Sequence, residues 1–372
     1  MPYNWQLPDW PEFAYNLSRV EDDLFAFAEQ TGQAIGVLKS SSRDVELEAI
    51  IQTMVTEAIK TSEIEGEYLN RHDVVSSIRN NLGLNTTLED VKDQRARGVG
   101  ELMIDVRNTY AESLTEVKIL EWHRMLMSAN TRINAGTWRV HSEPMQVISG
   151  AIGKERIHFE APPSLRIPDE ITRFIQWFND TAPGEAKEIK KAPVRSAVAH
   201  LYFESIHPFE DGNGRIGRAI AEKALSQTID RPVLLSLSRT LEAGKRSYYE
   251  AIEKAQRSNE ITPWLEYFVE VVLTSQKQAN AFVAFTLKKS KFFDKYKNKM
   301  NERQLKVVRR MLEEGPDGFK GGMNASKYGS IANTSKATAT RDLQDLVDLK
   351  IFNPEGGGRS TRYSLALETA DE

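Results

Sequence analysis

Residues 207–218 read His-Pro-Phe-Glu-Asp-Gly-Asn-Gly-Arg-Ile-Gly-Arg, and this run constrains the fold more than any other. Pro208 has no N–H and disfavours helical geometry at His207, so the helical pattern of residues 193–205 must stop there. Gly212 and Gly214 permit a tight bend whose backbone N–H groups converge on one point. A second helical pattern, 215–228, follows and adds its positive end to that point. Helix, glycine bend and helix together make an anion site suited to phosphate.

The side chains in the run fit such a site. Arg215 and Arg218 are three apart, share a helix face and can both reach a polyphosphate. Asp211 offers a hard oxygen ligand for Mg2+, which binds through one or two carboxylates plus phosphate oxygens. His207 has an ordinary pKa close enough to neutral for a general base. Phe209 is expected to point inward and anchor the loop. Each part alone has an ordinary structural reading; the joint pattern does not. Nine specified positions at about 5% each make a chance occurrence on the order of 10^-12 per site.

Composition narrows the chemistry further. The 372 residues contain no cysteine and six histidines, which excludes disulfides, thiolate zinc sites and cysteine nucleophiles. A formal net charge of -4 argues against coating nucleic acid through bulk electrostatics, though a local basic surface is compatible with it. The first ten residues are aromatic and proline-rich, without the basic and apolar regions of a signal peptide, and no apolar run suffices to span a bilayer. The sequence therefore reads as cytoplasmic, without a membrane partner.

Along the chain, helical periodicity dominates from residue 18. Between residues 44 and 61 one apolar stripe runs through Leu47, Ile50, Ile51, Met54, Val55 and Ile59, and Gly66 is placed to stop that helix. A different texture between 136 and 163, interspersed with glycine and closed by Pro162-Pro163, predicts a short hairpin. Helices continue to about 285, followed by a basic stretch, 288–310, read as a linking helix. The expected fold is mainly α: an N-terminal helical region (1–110), a central catalytic region (111–285) with a small β-hairpin, and a C-terminal domain (286–372).

The run from His207 to Arg218 matches in full the signature of the Fic family, H-P-F-x-[D/E]-G-N-G-R-x-x-R. Residues 136–139, Gly-Thr-Trp-Arg, are similar to the entry of that family's flap, Pro162-Pro163 to its exit, and 197–206 to the helix leading into the motif. The resemblance implies a Fic-type helical core and the transfer of AMP from ATP to a Tyr, Thr or Ser hydroxyl of a protein, including the enzyme itself. His207 would deprotonate the hydroxyl and Asp211 would hold Mg2+ across the α- and β-phosphates. Phe209, Gly212, Asn213, Gly214, Arg215, Ile216 and Gly217 would form the phosphate cradle, and Arg218 would bind the γ-phosphate. A phosphate-transferring branch of the family carries Lys where this chain has Gly214, which favours AMP.

Further positions follow from the same resemblance. Val147, Ile148, Ser149 and Gly150 fall where the flap meets the nucleotide, and the flap's edge can take a target segment as an added strand. Tyr248 and Tyr249 are similar to an aromatic pair near the adenine, and Gln256 lies where relatives often have Asn. Thr61-Ser62-Glu63-Ile64-Glu65-Gly66 matches the inhibitory pattern [S/T]-x-x-x-E-[G/N], which implies that Glu65 pairs with Arg218 and denies it to the γ-phosphate. In a variant of this reading the enzyme mainly removes AMP, with Glu65 orienting a water.

The C-terminal segment carries its own expectation. Residues 335–349 bury Ala339, Leu343, Leu346 and Val347, and place Lys336, Thr338, Thr340, Arg341 and Gln344 on the other face. With the glycine-turned hairpin bearing Arg359 and Arg362, the pattern predicts a winged helix able to take DNA as partner. Asp342, Asp345 and Asp348 put acid on the same helix, which suits a protein-binding role instead. The competing functional class is thus a DNA-binding regulator whose pocket senses ATP. Formation of a homo-oligomer is left open by the sequence.

Overall fold

The computed structural model describes residues 2–150, 154–316 and 318–367, with the Arg359 side chain outside the description. The chain divides into two compact units: residues 1–31 with 50–277, and residues 32–49 with 278–372. Fourteen α-helices among the described residues make the fold mainly helical, with two separate two-stranded sheets. None of these helices is long and apolar enough to cross a membrane.

The chain enters the first unit through a single 3-10 turn, Asn4–Gln6. Asn4 is fully buried, donates from Nδ2 to Ser205 Oγ, and gives its N–H to the Gln256 carbonyl. The Trp5 indole donates to the Glu160 carbonyl and the Trp10 indole to Glu170. Helices α1 (Glu21–Lys39) and α2 (Arg43–Ile64) follow, and Gly66, at φ 80°, ends the turn after α2 as expected. Next come α3 (Arg71–Asn81), capped by Asn70, α4 (Gln94–Asn108), capped by Asp93, and α5 (Glu116–Met127), capped by Thr115. The end of α2, α3, α4 and α5 belong to the same compact unit as the motif region, whereas residues 32–49, the end of α1 and the start of α2, belong to the second unit.

The predicted hairpin is present. Strands β1 (Gln146–Ser149) and β2 (Arg156–Glu160) are antiparallel, pairing Val147 with Phe159 and Ser149 with Arg156, with an irregularity after Val147. Beyond α6 (Ile167–Asp180), helix α7 (Ala192–Ile206) is buried along its entire length. That is why its sequence, rich in Ala, Val, Leu, Tyr and Phe, shows no polar face. It packs closely on α8 (Asn213–Thr228), the small Ser196 donating its hydroxyl to the Ala221 carbonyl across the contact. Helices α9 (Leu237–Ala243), α10 (Lys245–Ala255) and α11 (Thr262–Tyr296) complete this run.

In the second unit, α12 (Glu302–Leu312), α13 (Ala325–Ala332) and α14 (Lys336–Asp348) precede the antiparallel pair β3 (Phe352–Glu355) and β4 (Arg362–Leu365). They enclose a core that includes Val307, Met311, Tyr328, Leu343, Leu346 and Phe352. The basic stretch 288–310 is not one linking helix. It contains the last turns of α11, a break, and a fresh start at α12, where Asn301 and Gln304 form a reciprocal capping box.

Candidate active site

The motif loop is built by a left-handed exit from one helix and a left-handed entry to the next. His207 caps α7 at φ 50°, ψ 59°, and Gly212 caps α8 at φ 84°. Phe209 is fully buried, its ring stacked on His123 at 3.8 Å and tilted against Trp138 at 4.8 Å. The Asn213 amide closes the loop in both directions, accepting from the Phe209 N–H at 2.9 Å and donating to its carbonyl at 2.8 Å. Phe209 and Asn213, expected at the nucleotide, thus hold the loop's shape, and Ile216 is buried in the core beneath it. Because Ile216 N–H makes the first bond back to Gly212, the N–H groups of residues 213–215 have no helical carbonyl to donate to.

Two residues outside the motif fix this loop. His123 on α5 bonds through Nε2 to the Asp211 carbonyl at 3.1 Å, and its Nδ1 accepts the Gly136 N–H at 2.8 Å. Those partners set a neutral ring with the proton on Nε2, and burial lowers its pKa to about 4. Arg139, itself buried, donates from Nε to the His207 carbonyl at 2.8 Å and from Nη1 to Ser164. Neither role was legible beforehand. A single His at an apolar position of α5 looks like any buried histidine.

His207 itself is mostly buried, its side chain 13% exposed. Desolvation first, then the nearby Arg139 charge, lowers its pKa to about 4, so the ring is neutral at pH 7, with one nitrogen free to accept a proton. The base of the flap reaches it through Phe159, whose ring lies 6.5 Å away, edge-on. Flap residue Val147 is half-buried opposite Phe159, while Ile148, Ser149 and Gly150 are exposed. Glu253 on α10 ties the strand down, pairing with Arg156 at 2.9 Å and His158 at 2.7 Å.

Asp211 keeps its carboxylate 46% exposed; Oδ1 accepts the Gly212 N–H and lies 3.6 Å from Arg215. Among the described residues no cluster of three or more His, Cys, Asp or Glu could hold a metal alone. The exposed Asp211 carboxylate offers one hard oxygen donor at the bend, the ligand type Mg2+ takes.

Both motif arginines are buried and paired with acid from the end of α2. Arg218 donates from Nη2 to Glu65 Oε1 at 2.7 Å and from Nε to Thr61 Oγ1 at 2.8 Å. Arg215 donates to Glu67 at 2.8 Å. Burial alone would raise the Glu65 pKa, yet the charge and hydrogen bond of Arg218 hold it below the ordinary carboxylate range. A Cβ on Gly214 would lie 2.4 Å from Glu65 Oε1, so glycine is needed there for the carboxylate to sit on the helix start. Glu67 was missed in the sequence, although it stands two residues after Glu65.

The tyrosine pair lies beside this acid. Tyr249 donates its hydroxyl to the Ile64 carbonyl at 3.3 Å, and Tyr248 is buried with its hydroxyl 2.9 Å from His200 Nε2. Gln256 is buried and donates from Nε2 to the Glu204 carbonyl at 3.1 Å. Its amide props the end of α7.

This geometry meets the known proteins as follows. Residues 113–225 match the Fic/DOC family, and residues 3–84 match a domain of unknown function (DUF4172). The chain carries a Fic domain. It is 26% identical over 192 residues to the protein adenylyltransferase Fic of Nematostella vectensis, covering 51% of this chain and 39% of that one. It is 29% identical over 119 residues to a probable protein adenylyltransferase of Aquifex aeolicus, covering 30% of this chain and 35% of that one. The matches thus span well under half the length of these relatives. In fold it is similar to a Fic family protein from Desulfovibrio desulfuricans, at 17% identity and TM-score 0.53, covering 92% of this chain and 95% of that one. It is also similar to Fic-1 from C. elegans, at 18% identity and TM-score 0.52, covering 72% and 74%. The Fic domain accounts for the HPFEDGNGRIGR bend, the hairpin and the buried α7–α8 pair.

Proposed function

We propose that this chain transfers AMP from ATP to a Tyr, Thr or Ser hydroxyl of a protein and that Glu65 restrains the reaction. The observation that carries this reading is the convergence of a neutral His207, the open start of α8, Asp211, Arg215 and Arg218 around one bend, with Glu65 seated on Arg218 at 2.7 Å. Relatives named protein adenylyltransferase point to the same chemistry.

In the proposed step, His207 accepts the proton of the target hydroxyl. The oxygen forms a bond to the α-phosphorus of ATP while the bond to the pyrophosphate oxygen breaks. The α8 N–H groups and both arginines oppose the charge on the phosphates, so most of the catalysis is positioning and electrostatics. Asp211 would hold Mg2+, which supplies further neutralisation of phosphate charge when bound. With Glu65 on Arg218, the γ-phosphate is denied its cation. The test is incorporation of α-labelled ATP into protein, wild type against Glu65→Gly. Higher labelling by the variant supports the reading; equal or lower labelling by a folded variant counts against the restraint.

For the second unit we propose a winged helix that contacts DNA. Lys336, Thr340, Arg341 and Gln344 are exposed along α14, while Asp342 is buried, paired with Arg303 at 2.9 Å and bonded to the Tyr328 hydroxyl. One of the three acids is thereby withdrawn from the face that would meet phosphates. A gel shift weakened by salt and by Arg341→Ala supports this reading, and no shift at low salt removes it.

A further inference from the structure

One buried carboxyl group beside His207 has no part in the reaction above. Glu204 stands one turn earlier on α7, its side chain 8% exposed, with Oε2 3.7 Å from His207 Nδ1. Three buried polar atoms here have no hydrogen-bond partner among the described residues: Glu204 Oε1, His200 Nδ1 and His207 Nδ1. Two of them meet α8 at Gly217, where an added Cβ would lie 2.4 Å from Glu204 Oε1 and 3.2 Å from His200 Nδ1. The other nitrogen of His200 meets the Tyr248 hydroxyl at 2.9 Å.

Counting protons accounts for all three atoms. An ionised Glu204 would be a buried charge without a donor on Oε1, an expensive arrangement. A protonated one supplies both a donor and an acceptor. Its hydroxyl donates towards His200 Nδ1, His200 Nε2–H donates to Tyr248, and the remaining Glu204 oxygen accepts from Nδ1–H of His207. The last contact needs to shorten by a few tenths of an ångström to become a full hydrogen bond, within the ordinary tightening of an active site on binding. Burial supports this protonation state, pushing the Glu204 pKa up to about 8. The ring of His207 hangs from a left-handed residue past the end of α7, where the Glu204 backbone carbonyl also faces it, and Arg139 grips the His207 carbonyl rather than its imidazole.

We propose that Glu204, carrying its proton, is a positioning residue that holds the proton of His207 on Nδ1 and leaves the Nε2 lone pair for the incoming hydroxyl. The inference rests on His207 being the base for AMP transfer, but its primary test does not depend on transfer. Ring 15N–1H correlation spectra of histidine-labelled full chain at neutral pH, with His207 assigned by difference against His207→Asn, report the tautomer directly. Wild type and Glu204→Gln, whose amide also offers one acceptor and a donor, should show the proton on Nδ1. Glu204→Leu and Glu204→Met should shift it to Nε2 or mix the two. In a Glu65→Gly background, kcat should fall by about tenfold or more in the Leu and Met variants, with KM for ATP little changed, and recover to within about threefold in the Gln variant. An unchanged tautomer in both apolar variants overturns the proposal. So does a Gln variant that behaves like them, because a neutral network would then not be the operative form. If no protein transfers AMP while the tautomers respond as stated, it is the reaction assignment that fails and the positioning contact that stands.

Discussion

Two carboxylates press on the same helix from opposite surroundings. Glu65 comes from the end of α2 and rests on Gly214; Glu204 comes from α7 and rests on Gly217, three residues on. In each case an added Cβ would lie 2.4 Å from the carboxyl oxygen, so both glycines exist to admit an acid. Glu65 retains 29% of its side-chain exposure and is charged against Arg218. Glu204 is sealed in and faces two imidazoles. The lesson is that the partner and the access to water decide what a carboxyl group does. A charged one at the rim can act as a removable latch, whereas a neutral one in the core can act as a fixed support.

The comparison breaks most visibly if the two acids can be exchanged in effect. Glu65→Gly should raise AMP transfer by about tenfold or more, since freeing Arg218 restores a charge-assisted phosphate contact, whereas Glu204→Gln in the otherwise native chain should leave transfer restrained. Labelling rates with α-labelled ATP decide this, and release by the Glu204 variant would erase the distinction. Glu67→Ala should release less, about twofold to fivefold, because Arg218 stays latched while Arg215 is freed.

The glycines sharpen the contrast through stability. Gly217→Ala drives a methyl into a sealed carboxyl and should lower unfolding free energy by about 1–3 kcal/mol. Gly214→Ala should lower it by less, because Glu65 can swing towards water. Urea unfolding of both variants measures the difference, and equal losses would mean that Glu65 is as confined as Glu204.

The smallest expected effect is in pH dependence. Glu204 has a raised pKa in the folded chain, so the folded state holds a proton that the unfolded chain has released. Its contribution is complete below the ordinary carboxylate pKa and declines as pH rises to about 8. Glu65 has a lowered pKa, so its contribution persists through neutral pH and is lost only as pH falls through that lowered value. Between pH 6.5 and 8, Tm of the wild type should therefore drop by more than that of Glu204→Gln. Glu65→Gln should keep the wild-type slope. Parallel curves for wild type and Glu204→Gln would show that Glu204 is already ionised at pH 6.5.

The sequence made one of these acids legible and hid the other. Glu65 follows a run with a pattern of its own, at the end of an amphipathic helix, and Gly66 marked where that helix stops. Glu204 lies in a helix buried on every side, where periodicity carries no information about which face a side chain takes. The bend, the hairpin and both flanking helices could be read because proline and glycine act locally. His123 and Arg139 could not, since their partners are backbone carbonyls that only the folded loop brings near. The break between α11 and α12 was hidden for a related reason: the lysines that run through it hide a cap that depends on Asn301 and Gln304.

The central claim is that this bend delivers AMP, with His207 as the base. The most direct measurement compares α-labelled and γ-labelled ATP on Glu65→Gly and on Glu65→Gly with His207→Ala, in the presence of Mg2+. Label should enter protein from the α position alone and should vanish in the double variant. Incorporation from the γ position, or labelling undiminished without His207, would contradict the account.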